Sequence, residues 1–440
     1  MSAKYNLKKG AWYAVENVTM IMFGLLSVIL VARIFGPESL GKLSLIQAIT
    51  AMLLFTVVLG LDHIIVRDIA RDPTNKRYLS TVFILQAIAW SIHAILVFFV
   101  LWLLSEQGIE NDVIVIFIAV IAGTYFSRAT VLKLYFQATN QPKKIGTSAV
   151  YSRLLGLLYL GWALFNDYNY EYIILFIPIQ TCFHFFMLLR FYLKEQNEPF
   201  TFCFDTKLVK KLLTEALPLL ASAALFPIFM QADILLIATL MSEHDVGIYS
   251  ASSRLVTQLV FLGHIITMTF YLALSKRIDS NSSDQIQFTQ GLIKILFIFG
   301  FSMSLVVSLM SEFIIELLYG KSFQGAGQVL AILAWTWTFI FPAALFSRLL
   351  VLKGLMRYEL IKSLIVAIFS LTANYLLIPV LGITGAAIIS ILSYFIADYL
   401  IYSIFKPTRG MFSLATKSVF EVFFRPSKTM LDIRHTLGSK

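Results

Sequence analysis

The sequence predicts an all-α polytopic membrane protein, with about twelve transmembrane helices in two six-helix bundles related by a parallel pseudo-two-fold repeat. Three observations lead there. Of the 440 residues 58% are hydrophobic and only 14% charged, with a mean hydropathy of +0.80, whereas a soluble chain carries roughly 25% charged residues. The apolar residues fall in runs of about 20, the length that crosses a bilayer core. Basic residues gather in alternate connecting segments. An open sheet edge cannot survive in hydrocarbon, and barrel strands alternate over only about ten residues, so the runs are helices.

The opening hairpin sets the pattern. A first run, 12–32, leads to the turn Arg33-Ile34-Phe35-Gly36-Pro37-Glu38-Ser39-Leu40-Gly41. A second run, 43–61, crosses back and emerges in a basic segment holding Arg67, Arg71, Lys76 and Arg77. The first run carries Glu16, is too long for a signal-peptide core and is followed by no small-residue cleavage site, so it reads as a transmembrane helix. The remaining spans are 79–104, 113–135, 147–165, 170–192, 216–240, 247–274, 291–311, 326–352, 359–378 and 384–405.

Part of the hairpin recurs half a chain later. Leu30-Val31-Ala32 and Gly41-Lys42-Leu43-Ser44 align without a gap on Leu236-Ile237-Ala238 and Gly247-Ile248-Tyr249-Ser250. Two like halves entering from the same side make a parallel repeat, a plan found in transporters. The expected divisions are an N-terminal bundle at 1–192, a linker at 193–215, a C-terminal bundle at 216–405 and a basic tail at 406–440. That tail mixes Phe412, Phe420, Phe423 and Phe424 with Lys417, Arg425 and Lys428. It is expected either to lie on the anionic cytoplasmic leaflet or to be disordered.

Charge fixes orientation. The N-terminus, the loops 62–78, 136–146, 193–215, 275–290 and 353–358, and the tail hold about 25 of the 35 Lys and Arg residues. The opposite loops, 33–42, 105–112, 166–169, 241–246, 312–325 and 379–383, hold about three. Both termini are therefore expected in the cytoplasm. The membrane accounts for the net charge of +10 without nucleic acid. Every outward loop is short, so no external domain carries chemistry. Cys182 and Cys203 form no disulfide framework. The histidines show no metal-ligand spacing, each reading as a packing residue, and no nucleotide-binding or hydrolase motif is present.

Ionisable side chains inside the membrane cost roughly 2.5–3.5 kcal/mol each and need a reason. The basic set is Arg128, Lys133, Arg153, Arg254, Lys294, Arg348 and Lys362; the acidic set is Glu16, Asp233 and Asp398. Lys133, Lys294, Arg348 and Lys362 lie near cytoplasmic helix ends, where each can snorkel to the headgroups. Arg128 and Arg254 sit deeper. Polar stripes at helical spacing accompany them: Ser250, Arg254 and Gln258, and Thr124, Ser127 and Arg128. Helix–helix hydrogen bonding explains many such positions, yet stripes in both halves are most simply explained by one polar lumen. Excess arginine suits an anion, since its planar fork donates paired hydrogen bonds to phosphate. Arg128, Arg153 and Arg348 fall in the cytoplasmic half, Arg254 in the external half and Arg33 at the external rim.

Several segments resemble a known family. Val31-Ala32-Arg33-Ile34-Phe35-Gly36-Pro37-Glu38-Ser39-Leu40-Gly41 and Ile65-Val66-Arg67-Asp68-Ile69-Ala70 resemble the opening of bacterial O-antigen and polysaccharide flippases. These belong to the multidrug/oligosaccharidyl-lipid/polysaccharide exporter superfamily. Asp233-Ile234-Leu235-Leu236, Gly247-Ile248-Tyr249-Ser250-Ala251 and Leu377-Ile378-Pro379-Val380-Leu381-Gly382-Ile383-Thr384-Gly385-Ala386-Ala387 are similar to its later landmarks. The resemblance covers the twelve spans but not the tail. It implies an inner-membrane flippase that turns undecaprenyl-pyrophosphate-linked glycan to the periplasmic leaflet by rocking two bundles around a cationic cavity. It also implies coupling to an H+ or Na+ gradient, for which Glu16, Asp233 and Asp398 are the candidates, with no further cofactor. Implied partners are the lipid-linked glycan, membrane lipids, a polysaccharide polymerase and a chain-length regulator. Related peptidoglycan-precursor flippases have about fourteen spans, whereas this chain has room for twelve. Two alternatives stand beside this reading. A drug or organic-cation antiporter of the same superfamily would need acidic residues in the lumen. A membrane glycosyltransferase would generally present a large periplasmic loop.

Overall fold

The computed structural model describes residues 3–105, 110–128, 131–195, 203–279 and 284–438, and at some helical positions, Arg128 among them, only the backbone. No strand occurs among the described residues. Nine described helices are long and apolar enough to cross a membrane. Two of these are too long for one crossing, Val15–Met52 with 38 residues and Arg357–Ile404 with 48. Each breaks where the sequence places a turn. Gly36 adopts φ 81° just before Pro37, and Gly382 adopts φ 60° three residues after Pro379. A side chain is disfavoured at positive φ, and proline cannot continue the preceding hydrogen-bond ladder, so each pair ends one span and starts the next. Counting those as two crossings each, and adding the Thr206–Leu240 helix, gives the expected twelve.

The break at Gly36 has its counterpart 206 positions on, at Ser242. There the hydroxyl accepts from Asp245 N and the Asp245 carboxylate accepts from Ser242 N, a reciprocal N-terminal cap. Such a box satisfies two otherwise orphaned donors and fixes the start of the Glu243–Leu259 helix.

Two compact units make up the chain, Met1–Gln231 and Ala232–Lys440. The division falls inside the Thr206–Leu240 helix. The cause is packing: Leu212 and Ala216 are buried with Leu61, Ile65, Leu85, Phe136 and Leu188 in the core of the first unit.

In the first unit the connections sort into the two expected sets. At one end Lys42 Nζ bridges Glu110 Oε2 at 2.5 Å and Asp112 Oδ2 at 2.7 Å, and the Tyr170 hydroxyl donates to the Ser39 carbonyl at 2.9 Å. At the other end Arg67 pairs with Glu215 at 2.9 Å, Arg77 with Asp205 at 3.3 Å, and Lys144 with Glu195. The 62–78 connection is itself largely helical, Asp62–Arg71, and buries Ile64, Ile65 and Ile69.

In the second unit Gln285–Leu309 is the central helix. A Cβ on Gly300 would stand 2.6 Å from the Trp337 carbonyl oxygen, so glycine lets the Trp337–Leu352 helix approach closely. Trp337 is fully buried and donates its indole N–H to the Val256 carbonyl at 3.0 Å. The tail is folded. It forms the helices Arg409–Phe424 and Pro426–Gly438, packed on the central helix. Charge pairs lie inside the contact: Lys294 Nζ donates to Glu421 Oε2 at 2.6 Å and Asp432 Oδ2 at 2.5 Å. Lys294 is 0% exposed and therefore does not snorkel.

Candidate functional site

Trp12 sets the first span against the helix Pro142–Phe165. A Cβ on Gly146 would lie 2.8 Å from Trp12 Cε3 and 3.0 Å from its carbonyl oxygen, an approach that only glycine permits. Glu16 follows Trp12 by one helical turn and Arg153 follows Gly146 by two, so the same contact faces carry them. The helix Phe176–Glu195 is held likewise, since a Cβ on Gly156 would lie 2.8 Å from Gln180 Oε1. Gln180, Thr181 and His184 share one face of that helix. Lys133 enters from the helix Val131–Ala138.

Together these elements line a small, partly open cavity of about 30 Å³, whose wall includes Glu16, Lys133, Ser152, Arg153, Gln180 and His184 beside the apolar Met20 and Ala149. That is room for about two water molecules. Lys133 Nζ pairs with Glu16 Oε1 at 2.6 Å. Ser152 and Thr181 turn their hydroxyls back to the Ala149 and Ile177 carbonyls, at 2.9 and 3.0 Å. His184 reaches the Ser148 backbone. Arg153 makes no hydrogen bond or ion pair with any described residue. The first unit thus holds an arginine fork with no carboxylate on it, beside a lysine that has one. Such a set suits anionic oxygen.

The three acidic candidates separate by their partners. Glu16 is neutralised by Lys133. Asp398 Oδ1 lies 3.2 Å from Lys362 Nζ, which also pairs with Glu359 at 2.8 Å. Lys362 is therefore buried in an ion-pair cluster and does not snorkel. Asp233, in the second unit, receives neutral donors only: Tyr249 and Ser390 each donate to Oδ2 at 2.6 Å, and Asn374 to Oδ1 at 2.7 Å. Close by, Asn374 Oδ1 and Ser393 Oγ are buried without a partner among the described residues.

Among the arginines with described side chains, Arg254, Arg348 and Arg33 do not line the first-unit cavity. Arg254 is half-buried in the second unit, one turn after fully buried Ser250. Arg348 places its guanidinium carbon 5.9 Å from the Tyr271 ring centroid. Arg33 is exposed, three residues before the Gly36 break. Arg128 ends the helix Asn111–Arg128, and its side chain lies outside the described residues. The sequence reads His184 as a hydrogen-bonded packing residue; the neighbours that put it on the cavity wall, Lys133, Ser148 and Arg153, come from two other helices and leave no local signal. Sequence reasoning also missed Tyr249 and Asn374, although Tyr249 lies 16 positions from Asp233 within the repeated hairpin.

A family model described as "Polysaccharide biosynthesis protein" matches residues 6–268. Among curated proteins, the chain is 24% identical over 396 residues to the capsular polysaccharide biosynthesis protein CapF of Staphylococcus aureus, covering 89% of this chain and 97% of the relative. Two solved structures share the fold. One is the lipid II flippase MurJ in an inward closed conformation, with TM-score 0.72 and 15% identity, covering 98% of this chain and 97% of that one. The other is an inward-facing multidrug resistance MATE family transporter, with TM-score 0.67 and 15% identity, covering 92% and 99%.

Proposed function

The chain belongs to the polysaccharide biosynthesis protein family, and from that premise we propose that it is a flippase for a lipid-linked glycan, a multi-pass membrane transporter and not an enzyme. Its substrate is an undecaprenyl-pyrophosphate-linked oligosaccharide, moved by alternating access from the cytoplasmic to the periplasmic leaflet of a bacterial inner membrane, with both termini cytoplasmic. The observation that carries this reading is Arg153, a guanidinium without a carboxylate in a cavity it shares with Lys133 and His184. A planar fork in a water-poor site binds phosphate oxygens in pairs, which a lysine cannot reproduce. Arg128, Arg254, Arg348 and Arg33 are further phosphate-facing candidates, each tested singly. A polymerase and a chain-length regulator are the partners this role would require.

Ion coupling falls to Asp233 by the same logic. Glu16 and Asp398 already have lysine partners, whereas only neutral groups surround the Asp233 carboxylate. A carboxylate whose donors are all neutral keeps its charge uncompensated and so has it to offer a cation. An organic-cation antiporter finds less support, because two of the three acidic candidates are already neutralised by lysine.

Transport of a defined pyrophosphate-linked glycan in proteoliposomes, with and without proton and sodium gradients, tests the reading. Arg153→Ala should abolish transport while the protein still inserts, and Arg153→Lys should restore it only in part. Undiminished transport by Arg153→Ala would reject the phosphate site. Undiminished gradient dependence in Asp233→Asn would reject the coupling role.

A further inference from the structure

Arg153 and Lys133 carry two positive charges into the first-unit cavity, and Glu16 cancels one of them. Lys133 Nζ sits 2.6 Å from Glu16 Oε1, and the Glu16 side chain is 5% exposed. The other titratable group on the cavity wall is His184; the remaining polar lining, Ser152, Gln180 and Thr181, is neutral. With Glu16 in place the lining is net +1. A diphosphate substituted at both ends carries about two negative charges, one per phosphate. While Lys133 is held by Glu16, Arg153 alone can donate to phosphate; with Lys133 released, two cationic donors face the two phosphates.

We propose that Glu16 is an internal competitor of the substrate's diphosphate, holding Lys133 in the empty site and yielding it when phosphate binds. This rests on the phosphate-site reading above. A carboxylate and a phosphate present the same kind of charged oxygen to an ammonium, so the two compete for one donor. The exchange is reciprocal: whatever weakens the Glu16–Lys133 pair strengthens phosphate binding, and phosphate binding loosens the pair by the same factor. For a flippase this has a use. A site that grips diphosphate with two unopposed cations releases it slowly, and a built-in anion restores the pair as the substrate leaves.

The probe is inorganic pyrophosphate, titrated by calorimetry into the full-length protein in detergent. Glu16→Gln should bind it at least about tenfold more tightly than wild type, since Lys133 no longer has to be taken from a carboxylate before phosphate can use it. Lys133→Met should abolish that gain, because Glu16 acts through Lys133. In proteoliposomes Glu16→Gln should lower KM for the lipid-linked glycan and lower kcat with it, as release slows. Glu16→Met carries the same expectation, so either variant serves. Equal or weaker binding by Glu16→Gln, or the same gain in the Lys133→Met background, would overturn the proposal. So would failure of both Glu16 variants to accumulate while Glu16→Gln with Lys133→Met does, which would make Glu16 a structural counter-ion. If instead Arg153→Ala and Lys133→Met leave pyrophosphate binding and transport unchanged, the phosphate site itself is refuted.

Discussion

Replacing Glu421 and Asp432 together by Gln and Asn should unfasten the C-terminal helices from the second unit. The two carboxylates are each 2% exposed, and between them lies the wholly buried ammonium of Lys294. Lys428 completes the set at 2.6 Å from Glu421 Oε1, so two lysines and two carboxylates balance. Either single substitution leaves Lys294 one carboxylate and should cost about 1.5–3 kcal/mol, the range for a charged hydrogen bond. The double substitution leaves a buried cation with none and should cost about 3–5 kcal/mol. Adding Lys294→Met removes the stranded charge and should recover most of the loss, since apolar replacement of a buried ion pair is often neutral. Cutting the chain after Phe405 should reproduce the double substitution, and Lys294→Met should rescue it too. Membrane abundance and resistance of the tail to limited proteolysis are the assays. A double variant as abundant and protected as wild type, or a triple variant no better than the double, would refute the reasoning.

Acid should act on the same contact late. Burial alone would raise the Glu421 carboxyl, but hydrogen bonds from Lys294 and Lys428 outweigh it and hold the group below the usual glutamate range. Its contribution is therefore complete above the unfolded value near ~4.3 and is lost as pH falls through the lower folded one. Tail protection should be flat from neutral pH to about 5 and fall only below about 4; a loss already at pH 6 would contradict this. Gly300→Ala places a methyl 2.6 Å from the Trp337 carbonyl oxygen, a backbone atom that cannot swing aside. It should cost about 1–3 kcal/mol, read as reduced abundance and a lower Tm. Reporter fusions after Gly108, Asn169, Glu243 and Gly382 should read periplasmic, and those after Asn75, Gln141 and Glu198 cytoplasmic; inversion of the whole set would overturn the orientation.

The span breaks were legible because their causes are local. Gly36-Pro37 and Gly382 combine turn chemistry with runs too long for one crossing, and Ser242 carries its cap three residues away in Asp245. The Lys294 cluster was not legible, because its partners stand 127 and 138 positions away. The tail also reads backwards. Thr429, Asp432 and Thr436 recur at helical spacing and are buried, while Met430, Leu431 and Leu437 are exposed. In water the apolar face turns inward, so a polar stripe looks like a solvated one. Next to a buried cation the polarity reverses, and the same stripe becomes the contact.

A sequence counts intramembrane charges but cannot pair them, and pairing is what separates architecture from function here. Lys133, Lys294 and Lys362 each meet a carboxylate: Glu16, Glu421 with Asp432, and Asp398 with Glu359. Arg153 meets none among the described residues, and Arg348 meets the Tyr271 ring. The acidic residues thus fall mostly to lysine, a compact point charge that one carboxylate satisfies. The positive surplus remains on arginine, whose five fixed donors outnumber what a single carboxylate can accept. Asp233 is the exception on the acidic side, a carboxylate held by neutral donors alone. Among the described residues, three intramembrane lysines are neutralised internally while Arg153 and Asp233 have no counter-charge, and that contrast is the physical ground for proposing an anion site at the one and a cation site at the other.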